Sequence, residues 1–198
     1  MKNEVLLTVA IPVYNVDKYL RRCIDSILTN KIDNYEILLV DDGSKDKSGV
    51  ICDEYANQYD FIRVIHKKNS GLADVRNICI KEAKGEFVSF VDSDDYLSNN
   101  AYSNLMKIQK EYNADIVCFG VNDIYDGIDN KIDSLKNEEI KCFTNKEALS
   151  LMLLPGYIDV ITCNKIIRKS LFDNIEYPVG KLYEDMFTNY KVVYKPKE

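Results

Sequence analysis

The first half of the chain alternates between two hydrophobic periods, and this alternation limits the possible folds more than any other feature. Residues 6–13 form a near-continuous apolar run, as expected of a strand that is covered on both faces. The next residues repeat apolar side chains at helical spacing, with Asn15 or Asp17 in position to cap that helix. Further strands are predicted over 36–40, 61–65, 87–91 and 115–120, and further helices over 46–59, 72–83 and 101–112. This order predicts an α/β fold with a mainly parallel, Rossmann-like central sheet and helices on both faces.

Residues 122–143 interrupt this pattern with many charges and few apolar side chains. We interpret them as a polar connection between an α/β part, residues 1–121, and a smaller C-terminal segment, residues 144–198. The elements predicted in that segment are a helix that begins at a capping box of Thr144 and Glu147 and ends at Pro155-Gly156, a strand over 160–167, and a last helix with Phe187, Tyr190, Val193 and Tyr194 on one apolar side.

The composition excludes several classes of protein. The 198 residues, 46% of them hydrophobic, suffice for one globular domain or a domain with a small annex. The formal net charge is −6 and the basic residues are scattered, so no basic face for nucleic acid is predicted. The six cysteines are far apart, with no CxxC pair, which is typical of reduced thiols in a cytoplasmic protein. The sequence contains neither a secretory signal nor an apolar run of membrane-spanning length.

Three carboxylates follow the strand predicted at 87–91, in the stretch FVSFVDSDDYL. If residues 92–94 stay extended, Asp92 and Asp94 point to the same side, and two hard oxygen ligands meet there. Carboxylates without cysteine or histidine select Mg²⁺, Mn²⁺ or Ca²⁺ rather than Zn²⁺. A calcium EF-hand loop is excluded, because Leu97 stands where that loop needs a glycine. The alternative is a solvated turn in which the aspartates cap the next helix.

A second acidic corner, DDGS at 41–44, follows the strand at 36–40, and by itself it is equally well explained as a turn that begins a helix. We expect the two corners on neighbouring strands, beyond the carboxyl ends where parallel sheets bind ligands. Their like charges cost stability unless a cation or ligand compensates them, so together they predict a binding site. Since neither G-x-G-x-x-G nor G-x-x-x-x-G-K-[ST] occurs, we expect a metal ion and Arg76 to hold any phosphates. His66, the only histidine, is interpreted as an ordinary strand-end residue.

Five stretches of the chain, in order, resemble the family 2 glycosyltransferases, which have the GT-A fold. They are VAIPVYNVDKYLRRCIDSIL, EILLVDDGSKDKS, NSGLADVRNICIKEAKGEFVSFVDSDDYL, TCNKIIR and GKLYEDMF, and they cover nearly the whole chain. The resemblance implies inverting transfer of a sugar from a nucleotide sugar, commonly UDP-linked, to a hydroxyl group of a glycan or lipid-linked acceptor in bacterial polysaccharide synthesis. The N-terminal part would hold the donor, and the C-terminal segment the acceptor.

The resemblance also implies roles for individual residues. Pro12, Tyr14, Asp41 and Asp42 would face the nucleobase, Arg76 would lie near the diphosphate, Asp92 would meet the ribose or the metal, and Asp94 would bind Mn²⁺ or Mg²⁺ directly, beside Asp95. Asp185 of the Glu184-Asp185 pair would be the general base for the acceptor hydroxyl. A divalent ion would compensate the departing diphosphate, so no second acid is needed, unlike in glycoside hydrolysis. From the residues alone, the acidic pair is equally well explained as first-turn acids favoured by a helix dipole.

The chain departs from the family pattern at two places. Cys163 stands where an aromatic residue is common before Asn-Lys, and the chain contains no tryptophan. The chain also ends soon after the predicted helix of Asp185, where relatives continue, so we expect a truncated chain whose missing part holds acceptor, membrane-surface or homodimer contacts. The Q-x-x-R-W motif of the processive branch is absent, which favours transfer of single sugars.

Two other classes of protein share part of the pattern. A receiver-type phosphoacceptor signalling domain has a similar acidic pocket, but its acidic pair follows the first strand, whereas a strand and a helix precede Asp41. A sugar nucleotidyltransferase needs a glycine-rich, basic loop after the first strand, where this chain has PVYN. A non-catalytic carbohydrate-binding role is the third alternative. The resemblance to family 2 is the preferred interpretation, because it extends over nearly the whole chain.

Overall fold

The computed structural model describes residues 4–122, 140–154 and 157–195, which form a sheet with helices on both faces. The N-terminal elements are β1 (Leu7–Val13), α1 (Asp17–Leu28), β2 (Tyr35–Asp41), α2 (Ser48–Gln58), β3 (Ile62–His66), α3 (Leu72–Glu82), β4 (Phe87–Phe90), α4 (Ala101–Tyr112) and β5 (Ile116–Cys118). The later elements are α5 (Asn145–Met152), β6 (Lys165–Arg168), a short 3-10 helix (Lys169–Phe172) and α6 (Glu184–Tyr194).

The six described strands have the order β3-β2-β1-β4-β6-β5, and the prediction of a mainly parallel sheet is confirmed. β1 pairs in parallel with β2 and β4, β2 pairs in parallel with β3, and only β6 runs antiparallel to its neighbours β4 and β5. All seven residues of β1 are buried, as its apolar sequence predicts for a central strand. The expectation that the two acidic corners lie on neighbouring strands is wrong, because β1 runs between β2 and β4.

Alternating side chains of the central strands divide the core between the two faces of the sheet. On one face, Val9 and Ile11 of β1 pack in a cluster with residues of α1 and α2, including Cys23 and Cys52. On the other face, Ala10 lies in a cluster with residues of β2, β4 and α3. All six cysteines are free thiols, as the sequence predicts.

The start of α1 differs from the prediction. Val16 is the N-cap residue and its own side chain makes no capping hydrogen bond, whereas the Asp46 carboxylate accepts a hydrogen bond of 3.0 Å from the backbone N–H of Asp17. The Asn15 side chain instead accepts a hydrogen bond of 2.8 Å from the backbone N–H of Lys45, while Asp17 lies in the first turn of the helix. Asn15 therefore connects the end of β1 to the loop before α2, which helps to hold the strand-end loops together.

The C-terminal segment confirms one predicted element and corrects two others. The capping box of Thr144 and Glu147 is present at the start of α5, while Pro155 and Gly156 lie outside the described residues. The strand predicted over 160–167 is wrong in extent, since β6 covers only Lys165–Arg168. The carbonyl groups of Asp159 and Ile161 instead accept hydrogen bonds of 2.6 and 2.7 Å from the buried ammonium of Lys165. Because these carbonyls are bonded to a side chain, they do not pair with a neighbouring strand.

The apolar side predicted for the last helix is also wrong. Phe187, Tyr190 and Tyr194 are each about half exposed, and Val193 alone of that set is buried. The buried side of α6 is partly polar because the Asn189 amide donates hydrogen bonds to the Val160 carbonyl and the Thr162 hydroxyl. Polar groups that pair with each other can face the core, and hydrophobic spacing does not reveal such pairing.

Of the connection predicted over 122–143, residues 123–139 lie outside the described residues, and the rest forms neither helix nor strand. Within the described ranges, no helix is long and apolar enough to span a membrane.

Candidate functional site

A cavity of about 470 Å³ opens at the carboxyl edge of the parallel strands. Its lining includes Pro12, Tyr14, Asp42, Leu72, Asp92 and Asp94. These residues come from the ends of β1 and β2, the start of α3 and the turn after β4. The cavity therefore lies where a parallel α/β sheet binds its ligands, beyond the carboxyl ends of the strands.

The two aspartates of the DDGS corner point in different directions. The Asp42 carboxylate borders the cavity and accepts hydrogen bonds from the Lys67 ammonium (2.7 Å) and from the backbone N–H groups of Ser70 and Gly71 (2.9 Å each). These donors hold Asp42 as a fixed hydrogen-bond acceptor. The structure thus brings Asp42 to the cavity with Pro12 and Tyr14, whereas Asp41 is not among the lining residues.

Asp41 is buried behind the corner, where it contacts the only histidine. One Asp41 oxygen accepts a hydrogen bond from the Ser44 backbone N–H at 3.0 Å, and the other lies 2.9 Å from His66 Nδ1. His66 Nε2 lies 3.0 Å from a carboxylate oxygen of Asp53. The hydrogen bonds to Asp53 and Asp41 raise the pKa of His66 above its ordinary value. Reasoning from the sequence missed this pair, although parallel pairing of β2 with β3 sets Asp41 opposite His66.

We expect a His66→Gln variant to lose stability in a pH-dependent way. A histidine with a raised folded pKa contributes stability that is fully present below its unfolded pKa of about 6.5 and is lost as the pH rises through the folded pKa. The difference between wild type and variant in the free energy of unfolding should therefore be larger near pH 5.5 than near pH 8.5. Urea unfolding across this range measures it, and the single imidazole can be titrated directly by NMR. A difference that stays constant with pH would contradict the prediction.

The carboxylates after β4 lie on a turn rather than an extended segment, so the expected alternation of Asp92 and Asp94 is wrong. The Asp95 backbone N–H donates a hydrogen bond of 3.0 Å to the Asp92 carbonyl, which closes the turn. Arg22 on α1 donates a hydrogen bond of 2.9 Å to the Asp94 carbonyl and stacks over the ring of Tyr96. Asp94 still lines the cavity with Asp92. The turn therefore presents its carboxylates at one end of the cavity by a geometry that alternation does not predict.

A third possible ligand reaches this turn from the segment before β6. One oxygen each from Asp92 and Asp95 and the sulfur of Cys163 lie within 4.8 Å of one another. Burial raises the pKa of Asp92, against the opposing effect of the Arg76 charge and a hydrogen bond with Cys163. Burial likewise raises the pKa of Cys163 to about 12, and the charge of Asp92 acts in the same direction. A divalent cation would relieve the cost of negative charge here, so the donor atoms fit a metal ion.

Arg76 is the buried cation of the site. It lies on α3, forms an ion pair with Glu184 at the start of α6, and has its Nη2 atom 3.8 Å from an oxygen of Asp92. Its guanidinium also lies 5.5 Å from the centre of the Tyr177 ring. Among the described residues, its Nε atom is the buried side-chain nitrogen without a hydrogen-bond partner. Arg76 thus connects the acidic turn to α6, although it is not among the residues that line the cavity.

The two acids at the start of α6 have different environments. Glu184 is buried against Arg76, whereas Asp185 is only partly buried and accepts a hydrogen bond of 2.9 Å from the Met186 N–H. The negative charge of Asp185 contributes to the raised pKa values of Asp92 and Tyr177, with burial as the main cause in both cases. The positive end of the α6 dipole stabilises both acids. The sequence indicated both acids, but it did not indicate that Glu184 is ion-paired with Arg76 while Asp185 is only partly buried.

Lys165 was also missed. It is buried, and its ammonium donates hydrogen bonds to the carbonyls of Asp159 and Ile161 and to the Asn164 side chain. A lysine at the start of an apolar strand is the signal that could have revealed it, because a buried ammonium requires several acceptors.

Comparisons with known proteins identify the family of this chain. Residues 8–176 match the sequence model described as "Glycosyl transferase family 2". Glycosyltransferase GlyG of Streptococcus pneumoniae is 35% identical over 94% of this chain and 64% of its own length. The crystal structure of TarS 1–349 from S. aureus in complex with UDP-GlcNAc has a TM-score of 0.72 and 25% identity, covering 96% of this chain and 53% of that one.

A more distant structure shares the fold. The mannosyltransferase PcManGT from Pyrobaculum calidifontis, in complex with GDP-Man and Mn²⁺, has a TM-score of 0.66 at 16% identity, covering 90% of this chain and 49% of that one. This chain spans about half to two thirds of the length of these three relatives.

The sheet order and these likenesses show the GT-A fold of the glycosyltransferases, as the resemblance implied. The chain belongs to glycosyl transferase family 2.

Proposed function

We propose that the chain is the catalytic part of an inverting enzyme that transfers a single sugar from a nucleotide sugar, most simply UDP-linked, to a hydroxyl of a glycan or lipid-linked acceptor. The observation that carries this proposal is the cavity at the strand ends, where a fixed acceptor and an acidic turn come together and where Asp92 is in contact with a buried arginine behind the lining. A nucleoside diphosphate presents complementary parts: a base with an imino donor, and an anionic group that a cation must neutralise.

Asp42 is the proposed selector of the nucleobase. Three donors hold its carboxylate as an acceptor at the cavity, so the matching base carries an imino N–H, as uracil and guanine do. Cytosine and adenine have an unprotonated nitrogen at the corresponding position, and an acceptor facing an acceptor is unfavourable. Pro12 and Tyr14 form the adjoining wall, and Asp41 supports the corner from behind through His66. The UDP-GlcNAc complex of TarS supports uracil.

The acidic turn and Arg76 are the proposed diphosphate end. Asp92 and Asp94, with Asp95 beside them, would hold Mn²⁺ or Mg²⁺, which when bound compensates the charge of the departing nucleoside diphosphate. The contact of Arg76 with Asp92 supports a role for this arginine near the phosphates. Arg76 also keeps the acidic turn and α6 at a defined separation, since it contacts Asp92 and Glu184.

Asp185 is the proposed general base. It takes the proton from the acceptor hydroxyl as the oxygen attacks the anomeric carbon from the face opposite the leaving diphosphate, which inverts that centre. Glu184 is unsuited to this role because its carboxylate is buried and paired with Arg76. No paired acid is required, because the diphosphate leaves without being protonated. This division assigns residues 1–121 to the donor and residues 144–198 to the acceptor.

The names of two relatives support a hydroxyl-bearing polymer as the acceptor: the minor teichoic acid biosynthesis protein GgaB of Bacillus subtilis and the poly(ribitol-phosphate) beta-glucosyltransferase of Bacillus spizizenii. The proposed location is the cytoplasm, at the inner face of the membrane when the acceptor is lipid-linked, which suits six free thiols. The half-exposed apolar side chains of α6 are a suitable surface for the expected homodimer or peripheral membrane contact.

Calorimetric titration with UDP tests the donor site. In the presence of Mn²⁺ we expect UDP to bind at least about tenfold more tightly than in chelator, a difference of about 1.4 kcal/mol. The Asp94→Ala variant should lose this gain, whereas Asp33→Ala, an exposed acid outside the cavity, should retain it. Equal UDP affinity with and without Mn²⁺ would refute the metal role, and preferential binding of CDP would refute the role of Asp42.

A further inference from the structure

Cys163 lies across the edge of the sheet from Asp92. β4 and β6 are antiparallel, with Ser89 opposite Ile166. Asp92 lies in the turn after β4, and Cys163 lies two residues before β6. The Cys163 sulfur lies within 4.8 Å of one carboxylate oxygen of Asp92 and one of Asp95. Two different parts of the chain therefore contribute ligand atoms to one small space.

We infer that Cys163 is an additional protein ligand of the divalent ion proposed at this turn, on the side of Asp92 and Asp95, so that the site combines carboxylate and thiolate ligands. The inference rests on one part of the proposed function, namely that a divalent ion binds at this turn. It concerns the residue at which the chain departs from the aromatic expected in the family.

The segment that carries Cys163 is held firmly in place. Two residues after the cysteine, the Lys165 ammonium donates hydrogen bonds of 2.6 and 2.7 Å to the carbonyls of Asp159 and Ile161, which precede the cysteine. Directly before the cysteine, the buried Thr162 hydroxyl forms hydrogen bonds with Tyr177 and Asn189. A ligand on such a segment is already positioned before the ion arrives, so binding requires little rearrangement.

A sulfur ligand changes which ions the site prefers. Mg²⁺ selects oxygen ligands and keeps much of its water, whereas thiolate sulfur favours Zn²⁺, Cd²⁺ and Co²⁺. On binding such an ion, the thiol of Cys163 releases its proton to solvent and forms a metal–sulfur bond. The expected order of affinity therefore puts Cd²⁺ and Zn²⁺ above Mn²⁺, and Mn²⁺ above Mg²⁺.

A simpler role for Cys163 is a hydrogen bond from its thiol to Asp92. Serine can donate a similar hydrogen bond but supplies no sulfur. The Cys163→Ser variant therefore separates the two roles, because it removes metal–sulfur bonding and retains a donor next to Asp92.

The test is a titration of the metal-free chain with Cd²⁺ alone. The thiolate-to-metal charge-transfer absorbance in the ultraviolet reports how much Cd²⁺ is bound. The starting protein is Cys118→Ser/Cys142→Ser, because these two exposed thiols could bind Cd²⁺ by themselves. We expect one saturable band with a stoichiometry of one ion. Cys163→Ser should abolish the band and weaken Cd²⁺ binding about tenfold or more, while changing Mg²⁺ binding little. In Asp92→Asn, the band should need a higher Cd²⁺ concentration to reach half of its maximum.

The control is Cys52→Ser, which removes a buried thiol outside this cluster and should leave the band intact. Unchanged thermal unfolding of Cys163→Ser would show that the variant is folded. A band that survives Cys163→Ser, or no band in the starting protein, overturns the inference. Because no sugar nucleotide is used, that result would leave Mn²⁺-dependent UDP binding intact. A cysteine-dependent band together with metal-independent UDP binding would support the inference and refute the metal role in transfer.

Discussion

Replacing Asp185 by asparagine is expected to lower the rate of sugar transfer about 10²–10⁴-fold, the contribution typical of a general base. Asparagine has nearly the same shape but cannot take the proton of the acceptor hydroxyl. The affinity for UDP in the presence of Mn²⁺ should change little, because Glu184, and not Asp185, holds Arg76. Product formation from a UDP-sugar measures the rate, and calorimetry with UDP measures the affinity.

The matched control is Asp173→Asn, which changes an exposed acid of the same C-terminal segment and should leave the rate unchanged. Glu184→Gln is informative in the other direction. It removes the partner of Arg76, so it should weaken UDP binding as well as transfer. If Asp185→Asn kept most of the activity while Glu184→Gln lost it without any change in UDP affinity, the assignment of the base to Asp185 would be wrong.

Replacing Arg76 by methionine is expected to destabilise the fold by about 3–5 kcal/mol, since the substitution leaves Glu184 as a buried charge without its cation. The two side chains are only 5% and 11% exposed, so water can compensate little of the lost ion pair. Because the pair joins α3 to α6 across 108 residues of sequence, its loss should also release the segment that carries Asp185. Urea unfolding measures the stability, and UDP binding should fall in the same variant.

A double substitution separates charge burial from packing. Arg76→Met/Glu184→Gln removes the uncompensated charge and should recover part of the stability lost in Arg76→Met. The comparison pair is Arg21 with Glu54, whose side chains are about half exposed. Arg21→Met should cost at most about 1 kcal/mol, as for other surface ion pairs. If Arg76→Met were no more destabilising than Arg21→Met, the buried pair would not have the structural role described.

The order of strands and helices could be predicted from local patterns, because the hydrophobic spacing that identifies each element lies within that element's own residues. The same applies to the capping box of Thr144 and Glu147. The predicted strand over 160–167 failed for the opposite reason: the carbonyls of this segment are bonded by Lys165, a contact made through a side chain. The apolar side of α6 was predicted wrongly because Asn189 and Thr162 satisfy each other inside the protein.

The candidate site was predictable as a set of residue types at the strand ends, but not as a geometry. Strand-end position is sufficient to bring Pro12, Tyr14 and Asp42 to one cavity, because parallel strands share a carboxyl edge. It is insufficient to distinguish Asp41 from Asp42, since that depends on which donors surround each carboxylate.

By itself, then, the sequence determined the order of the elements, the mainly parallel sheet and the chemistry available at its edge. These follow from hydrophobic periodicity and turn residues, which act over a few neighbouring positions. Tertiary structure alone decided that β1 separates the two acidic corners, that Arg76 pairs with Glu184, and that Cys163 meets Asp92. Such contacts join distant residues, and they form only because burial of the whole core brings those residues together.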